Sequence, residues 1–381
     1  MTDSLKALAA QAAQAFEDRF GTPPRWTAVA PGRVNLIGDH TDYTGGLALP
    51  FAIDLFTVVC AAPGGQGLRL SSDRQTGVHQ LDLDPLPEAA GNWTDYVLGV
   101  VAGYKQKIGH LPALDLHVSG NLPIGAGLSS SASLELAVAV LMESVLGVEL
   151  PPAERALLCQ AAEHRYAGVP CGILDQFSVA MARQGQLLRL DCSDQSVDWI
   201  SCPEDVSLLV FDSGVSHALA DGGYAERRRQ CELAESLLAT GLRDASLEAV
   251  EALEDPTLRS RARHVVTENR RVDEFIRLLG ERDYAAAGNT MLASHTSLSG
   301  DYAVSTPELD GLVALAMEAG AMGARMTGGG FGGSVICIVP ARMASTVADS
   351  VSAGYLDRFG LRATPRLVQP VGAAAMVDQH D

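Results

Sequence analysis

Leu5, Leu8, Ala12, Phe16 and Phe20 recur at three- and four-residue steps, the spacing of one face of a helix over residues 4–20. Gly21 and Pro23-Pro24 end that helix. Shorter apolar runs at 26–30, 47–60 and 68–71 predict strands, as does 114–118, where Leu, Asp, Leu, His and Val alternate. A Gly/Ser-rich stretch at 125–131 then feeds a helical pattern over about 132–146. A second helix is expected from 153 to about 167, and a third from near Leu174. Residues 185–212 return to strand-like patterns. The stretch 225–240 and much of 244–320 read as helices, broken near Pro256, Gly280, Gly300 and Pro307, and the tail from Gly333 alternates strand and helix. The chain therefore reads as an α/β (α+β) protein, strand-rich first and helix-rich later. With no internal repeat and no low-complexity linker, it divides into two closely packed parts, 1–195 and 196–381.

Composition narrows the class. In 381 residues, 47% hydrophobic content is enough for a large core, and 19% charged content is too low for a disordered chain. The net charge of −18 argues against a nucleic-acid binder and against a role on anionic membranes. Any anion this chain binds must be held locally, by backbone amides, a metal or a few basic side chains. The seven cysteines (60, 159, 171, 192, 202, 231 and 337) are scattered and never spaced C-x-x-C. That pattern disfavours a disulfide framework or a zinc site and points to a reducing cytoplasm. The start, Met1-Thr2-Asp3-Ser4, has no apolar export segment, and the most apolar helical stretch is interrupted by Glu135 and Glu143.

Four segments carry candidate chemistry. In Pro123-Ile124-Gly125-Ala126-Gly127-Leu128-Ser129-Ser130-Ser131-Ala132-Ser133, glycines free the backbone and serines open a helix whose unpaired amides and dipole suit phosphate. No Lys follows the glycines, so this is not a Walker A loop. A Ser-rich N-cap after a Gly turn is the competing reading, but a cap needs one serine and here there are three in a row. Pro31-Gly32-Arg33-Val34-Asn35-Leu36-Ile37-Gly38-Asp39-His40-Thr41-Asp42-Tyr43 is dense in polar groups that could converge on a small polar ligand, or could be a solvated loop with surface ion pairs. Asp175 sits among apolar residues, where a carboxylate needs a partner or a purpose; a helix cap or an ion pair would also serve. Residues 328–333 contain five glycines in six positions, either a wide turn or a close backbone approach.

Taken together these segments resemble a known family. Residues 32–43 look like the galactokinase signature. Residues 125–133 resemble the ATP motif of the wider GHMP superfamily of small-molecule kinases, and 326–333 resemble its third motif. Residues 213–232 and 305–310 are similar to further galactokinase regions. The resemblance implies a two-lobed GHMP kinase fold with its active site in the cleft between lobes. It implies phosphorylation of the anomeric hydroxyl of galactose by ATP with Mg²⁺, in a cytoplasmic monomer that binds neither nucleic acid nor membrane. A kinase for an N-acetylhexosamine or arabinose is the alternative, and a non-catalytic sugar sensor a more distant one. Residue by residue, the resemblance gives Gly125, Ala126, Gly127, Leu128, Ser129, Ser130 and Ser131 to the ATP phosphates, with Ser71 near the nucleotide. It gives Ser131 and Glu163 to the metal, Asp175 and Arg33 to catalysis, and Asp39, His40, Thr41, Asp42, Gly172 and Tyr224 to the sugar. One position departs from the family, which usually carries Glu where this chain has Asp39.

Overall fold

The computed structural model describes residues 2–216 and 220–377. Residues 217–219, within the segment at 213–232 that resembles the family, lie outside the described residues. The first half runs α1 (Asp3–Phe20), β1 (Trp26–Asn35), β2 (Leu47–Ala48), β3 (Pro50–Pro63), β4 (Leu68–Ser72), β5 (Gln75–Leu81), α2 (Thr94–Ile108), β6 (Leu114–Gly120), α3 (Ser130–Leu146), α4 (Pro152–Ala162), α5 (Leu174–Met181) and β7 (Gln186–Asp191). The second runs β8 (Ser196–Ser201), β9 (Val206–Ser216), α6 (Ala220–Ser236), α7 (Leu247–Glu251), α8 (Pro256–Gly280), α9 (Tyr284–Ser299), α10 (Pro307–Glu318), β10 (Gly323–Thr327), β11 (Gly332–Pro340), α11 (Ala344–Phe359), β12 (Thr364–Val368) and β13 (Ala375–Met376).

Three sheets organise these elements. A six-stranded sheet has the order β13-β1-β3-β6-β4-β5, with β4 and β6 parallel and the other pairs antiparallel. A four-stranded antiparallel sheet has the order β10-β11-β9-β12, and a small third sheet the order β2-β7-β8. The β7–β8 hairpin straddles residue 195, and the chain's tail returns to pair Ala375 and Met376 with β1.

Packing follows the burial patterns. Residues 132–143 of α3 are buried on every side, so α3 is the central helix of the first core, among α2, α4, α5 and the six-stranded sheet. Helix α1 covers the sheet's other face with Leu5, Ala12 and Phe16, and Thr2 caps it by accepting from Leu5 N. The second core joins the four-stranded sheet to α8, α10 and α11. A third apolar cluster runs from Val34, Ile37 and Phe51 to Val210, Phe275 and Ile336, binding the two halves across the region where the signature lies.

The pattern missed two elements, α2 and β5. The strand expected at 26–30 continues to Asn35 through a register shift at Pro31/Gly32, so Arg33 lies on a strand rather than in a loop. The helix expected at 153–167 ends at Ala162 and passes into a π-helical turn, Glu163–Ala167. The expected change from strand-rich to helix-rich is present but weak, because α2 to α5 lie in the first half and a four-stranded sheet in the second. No described helix is long and apolar enough to cross a membrane.

Candidate active site

A cleft of about 650 Å³ collects residues from all four segments singled out by the sequence. The signature contributes Arg33, Asp39, His40 and Asp42. The Gly/Ser loop contributes Gly125, Gly127, Leu128 and the three serines. Glu163, Gly172, Asp175, Tyr224 and the glycines at 328–330 and 332–333 complete the wall, with Phe331.

The loop owes its shape to left-handed backbone at Gly125, Gly127 and Ser129 (φ of 79°, 72° and 58°), after which α3 begins at Ser130. The first amides of α3 lack intrahelical partners and belong to serines that line the cleft, the arrangement an anion site requires. Arg33 spans the loop and the lone acid. Its Nη1 donates to Gly127 O at 2.7 Å, and its Nε and Nη2 donate to Asp175 Oδ1 at 2.8 and 2.7 Å. Ser129 Oγ donates to Asp175 Oδ2 at 2.5 Å. Both carboxylate oxygens of Asp175 are therefore oriented from the phosphate loop and the signature strand together.

Glu163 opens the π-helical turn, a distortion often found at functional sites. It is 4% exposed, and burial together with the charge of Asp175 pushes its carboxyl up to about 7, against the pull of hydrogen bonds from Ser131, Cys171 and Gln176. Behind it, fully buried Gln176 donates its Nε2 hydrogens to Glu163 Oε2 at 2.6 Å and to Glu135 Oε2 at 3.0 Å. Burial and the charge of Glu163 push Glu135 far above the usual carboxyl range.

Asp42 lies against Gly172, where a Cβ would stand 1.8 Å from Asp42 Oδ2, so any larger residue there would displace the Asp42 carboxylate. Burial and Asp175 raise the Asp42 carboxyl to about 7. Asp39 is 4% exposed. Its Oδ2 accepts from Arg325 Nη2 at 2.6 Å and its Oδ1 from Gly328 N at 3.3 Å. Burial raises its pKa while Arg325 opposes the rise. His40, with left-handed backbone, packs its ring 5.5 Å from that of Tyr224.

Three expected contacts take another form. Thr41 donates its hydroxyl to Gly38 O and Leu47 O at 2.9 and 2.8 Å and is not part of the cleft wall: it fixes the signature turn. Ser71 is fully buried against His117 Nδ1 at 2.9 Å. Because successive strand residues face opposite ways, its neighbour Ser72 lines a cavity beside the serines instead. Ala126 turns its side chain into the core, and its carbonyl accepts from Ser334 Oγ at 2.7 Å, so it shapes the loop from behind.

Beside the serines a second, more apolar cavity of about 190 Å³ opens between Phe56, Trp93, Leu134 and Arg74, sharing Tyr96, Ile124, Ser130 and Ser131 with the main cleft. Sequence reasoning missed Trp93, Tyr96, Ser72, Arg74, Gln176 and Arg325. One signal was available: Asp95 accepts from the backbone N–H of Ala90, Gly91 and Asn92, an acid marking a helix start.

Comparison with known proteins agrees with this geometry. Residues 14–63 match the profile described as the galactokinase galactose-binding signature; 95–183 match the GHMP kinases N terminal domain and 275–356 the GHMP kinases C terminal. The chain is 41% identical over 373 residues to a galactokinase of Chloroflexus aurantiacus, covering 95% of this chain and 94% of that one. It is 42% identical over 386 residues to a galactokinase of Homo sapiens, covering 97% of each. The chain belongs to the galactokinase family. Among solved structures, Lactococcus lactis galactokinase complexed with galactose superposes with a TM-score of 0.91 at 32% identity, over 98% of this chain and 100% of that one. A mevalonate kinase shares the fold alone, with a TM-score of 0.65 at 18% identity over 90% of this chain and 99% of that one. The two-part GHMP kinase fold expected from the galactokinase resemblance is thus the fold observed.

Proposed function

We propose that this galactokinase-family enzyme transfers the terminal phosphoryl group of ATP to the anomeric hydroxyl of galactose, giving galactose 1-phosphate and ADP. One observation carries the reading: the acid able to accept the hydroxyl proton, Asp175, is held by the same residues, Arg33 and Ser129, that line the phosphate loop. Phosphoryl transfer asks chiefly for positioning and for neutralisation of charge on the transferring group. Asp175 accepts the proton and aims the oxygen. Arg33 and the first amides of α3 balance the charge that builds on the phosphoryl oxygens.

The apolar cavity between Trp93 and Tyr96 is suited to the flat base of the nucleotide, with Ser72 and Arg74 at its rim. Asp42, the backbone at Gly172 and Tyr224 line the sugar's side of the cleft. Asp39 and His40 form its far wall with much of their hydrogen-bonding capacity already committed.

A divalent cation fits the residues present. Ser131 and Glu163 offer hard oxygen donors of the kind Mg²⁺ prefers. Glu163 stands near Asp175 and Glu135 in a charge environment that a cation would relieve. When bound, Mg²⁺ would screen the phosphate charge.

The same reading includes two lobes, supported by the two larger cores and their sheets, with the boundary expected at residue 195 falling inside the β7–β8 hairpin and β13 returning from the tail to the first sheet. It also includes a cytoplasmic location, supported by seven unpaired thiols, and no nucleic-acid partner, supported by a charge of −18; that the chain is a monomer belongs to the same proposal. The test is ADP release with ATP, Mg²⁺ and a panel of galactose, N-acetylhexosamines and arabinose. Galactose should give the highest kcat/KM, and turnover confined to another sugar would overturn the substrate assignment.

A further inference from the structure

Four buried or half-buried side chains from three parts of the chain form one hydrogen-bonded line behind the sugar wall. His40 Nε2 lies 3.1 Å from Gly329 O, and His40 Nδ1 lies 2.9 Å from Tyr43 Oη. Tyr43 Oη lies 2.6 Å from Tyr302 Oη, which lies 3.0 Å from Cys231 Sγ. His40 and Tyr43 come from the signature loop, Cys231 from α6, Tyr302 from the segment after α9, and Gly329 from the glycine stretch between β10 and β11. Of the four side chains only His40 lines the cleft.

The hydrogens along this line can be assigned from one end. A carbonyl only accepts, so Nε2 carries a hydrogen and donates it to Gly329 O. In a neutral ring Nδ1 is then bare, and Tyr43 must donate to it. Tyr43 has one hydroxyl hydrogen, so Tyr302 must donate to Tyr43. Tyr302 is then spent in turn, and Cys231 donates its thiol hydrogen to Tyr302. The line has one direction, from Cys231 to Gly329. Only a charged imidazolium would reverse its tyrosine and thiol links. The ring is 4% exposed, with the bases His264, Arg227 and Arg325 around it; burial first, then these neighbours, lower its pKa to about 3.

We propose that Tyr43 and Tyr302 are positioning residues that hold His40 in the Nε2–H tautomer selected by the Gly329 carbonyl, so that the ring clamps that carbonyl and sets the far wall of the sugar site. His40 then has no ring nitrogen left for a sugar hydroxyl. Hydrogen-bond recognition falls to Asp42, Gly172 and Tyr224, and His40 contributes shape. The effect on sugar affinity rests on the galactose reading above, whereas the tautomer does not.

The experiment is a long-range ¹H–¹⁵N correlation of imidazole resonances in ¹⁵N-histidine protein, with His40→Gln used for assignment. In the wild type, His40 should show a bare Nδ1 and a protonated Nε2, unchanged from pH 5.5 to 8. Tyr43→Phe should move the Nδ1 resonance and raise KM for galactose on the order of tenfold, the size of one neutral hydrogen bond, with kcat within about twofold. Tyr302→Phe leaves Tyr43 still donating, so its effects on both readouts should be smaller. A doubly protonated His40 at pH 7, or hydrogen on Nδ1, overturns the assignment even if a variant fails to fold. So does a Tyr43→Phe protein with unchanged Nδ1 resonance and KM. A wild type inactive on galactose would sink the substrate reading and still report the tautomer.

Discussion

Replacing Glu163 by Gln should stabilise the ligand-free protein at pH 8 and change it little at pH 5. In the unfolded chain a glutamate loses its proton near 4.5, whereas burial and Asp175 hold Glu163 to about 7 in the folded protein. Between those values the folded state binds more protons than the unfolded one, so stability falls as pH rises through the window, and the full penalty stands above pH 7. The interval between 4.5 and about 7, at about 1.36 kcal/mol per pKa unit, corresponds to about 3 kcal/mol. Glutamine has the same shape, carries no charge, and keeps an oxygen to accept from Gln176 Nε2. The measurement is urea unfolding of nucleotide- and metal-free protein at both pH values, with stability taken from midpoint and slope. The variant should exceed the wild type by about 3 kcal/mol at pH 8 and by less than about 1 kcal/mol at pH 5. Asp42, also raised to about 7, acts equally in both proteins and cancels. The same substitution should raise the Mg²⁺ concentration for half-maximal turnover, because an anionic donor is gone. Equal differences at the two pH values, or a wild type that is the more stable at pH 8, would refute the argument.

Asp175→Asn keeps shape but removes the proton acceptor, so turnover should fall by roughly two decades or more while galactose binding stays within several-fold; coupled ADP release and calorimetry read the two, and near-normal turnover would clear Asp175 of its role. Gln176→Leu strips a shared donor from two buried carboxyls, Glu135 and Glu163, and should cost about 1–3 kcal/mol for each group left unsatisfied, with a higher Mg²⁺ requirement. Unfolding curves and a metal titration measure both, and an unchanged metal requirement would show that Gln176 does not position Glu163. Asp39→Glu moves the carboxylate about 1.5 Å further along its chain and changes its reach relative to Arg325, its partner in the wild type. Activity on galactose should persist and discrimination among sugars altered at carbons 4 and 6 should tighten in a kcat/KM panel; a stricter wild type would count against it.

Most of the fold was legible because most elements have one buried face and conventional ends. Pro256, Gly280, Gly300 and Pro307 mark boundaries of α8, α9 and α10 within a residue. The failures have local causes. Helix α2 carries Gly99 and Gly103, which lower helix propensity; in the fold a Cβ on Gly99 would stand 2.8 Å from Ala162 Cβ, so that glycine lets α4 pack close. Strand β5 is an edge strand paired only to β4, mostly exposed, and so shows no apolar alternation to read. Extension of β1 through Pro31 and Gly32 depends on a bulge that no periodicity announces.

For the site, motifs located the cleft but did not say which of their residues face it. That choice belongs to backbone geometry: strand alternation turns Ser71 inward and Ser72 outward, and the turn at Gly38 absorbs the Thr41 hydroxyl. Residues such as Gln176 and Arg325 were invisible because their partners are remote in sequence; Gln176 meets Glu135 across 41 positions and Arg325 meets Asp39 across 286. These hidden partners bear on a question the composition raised, namely how a chain of charge −18 holds a polyanion. The cleft wall carries Asp39, Asp42, Glu163 and Asp175 against a single arginine, Arg33. Arg325 offsets Asp39 from behind, and Arg33 is already paired with Asp175. The positive potential available to phosphate is thus mainly that of the amides opening α3, which carry no net charge and escape any count of side chains. Two of the remaining acids, Asp42 and Glu163, are those whose carboxyls are raised to about 7. A site so arranged costs stability near neutral pH until a ligand of compensating charge arrives, which is the state that Glu163→Gln relieves.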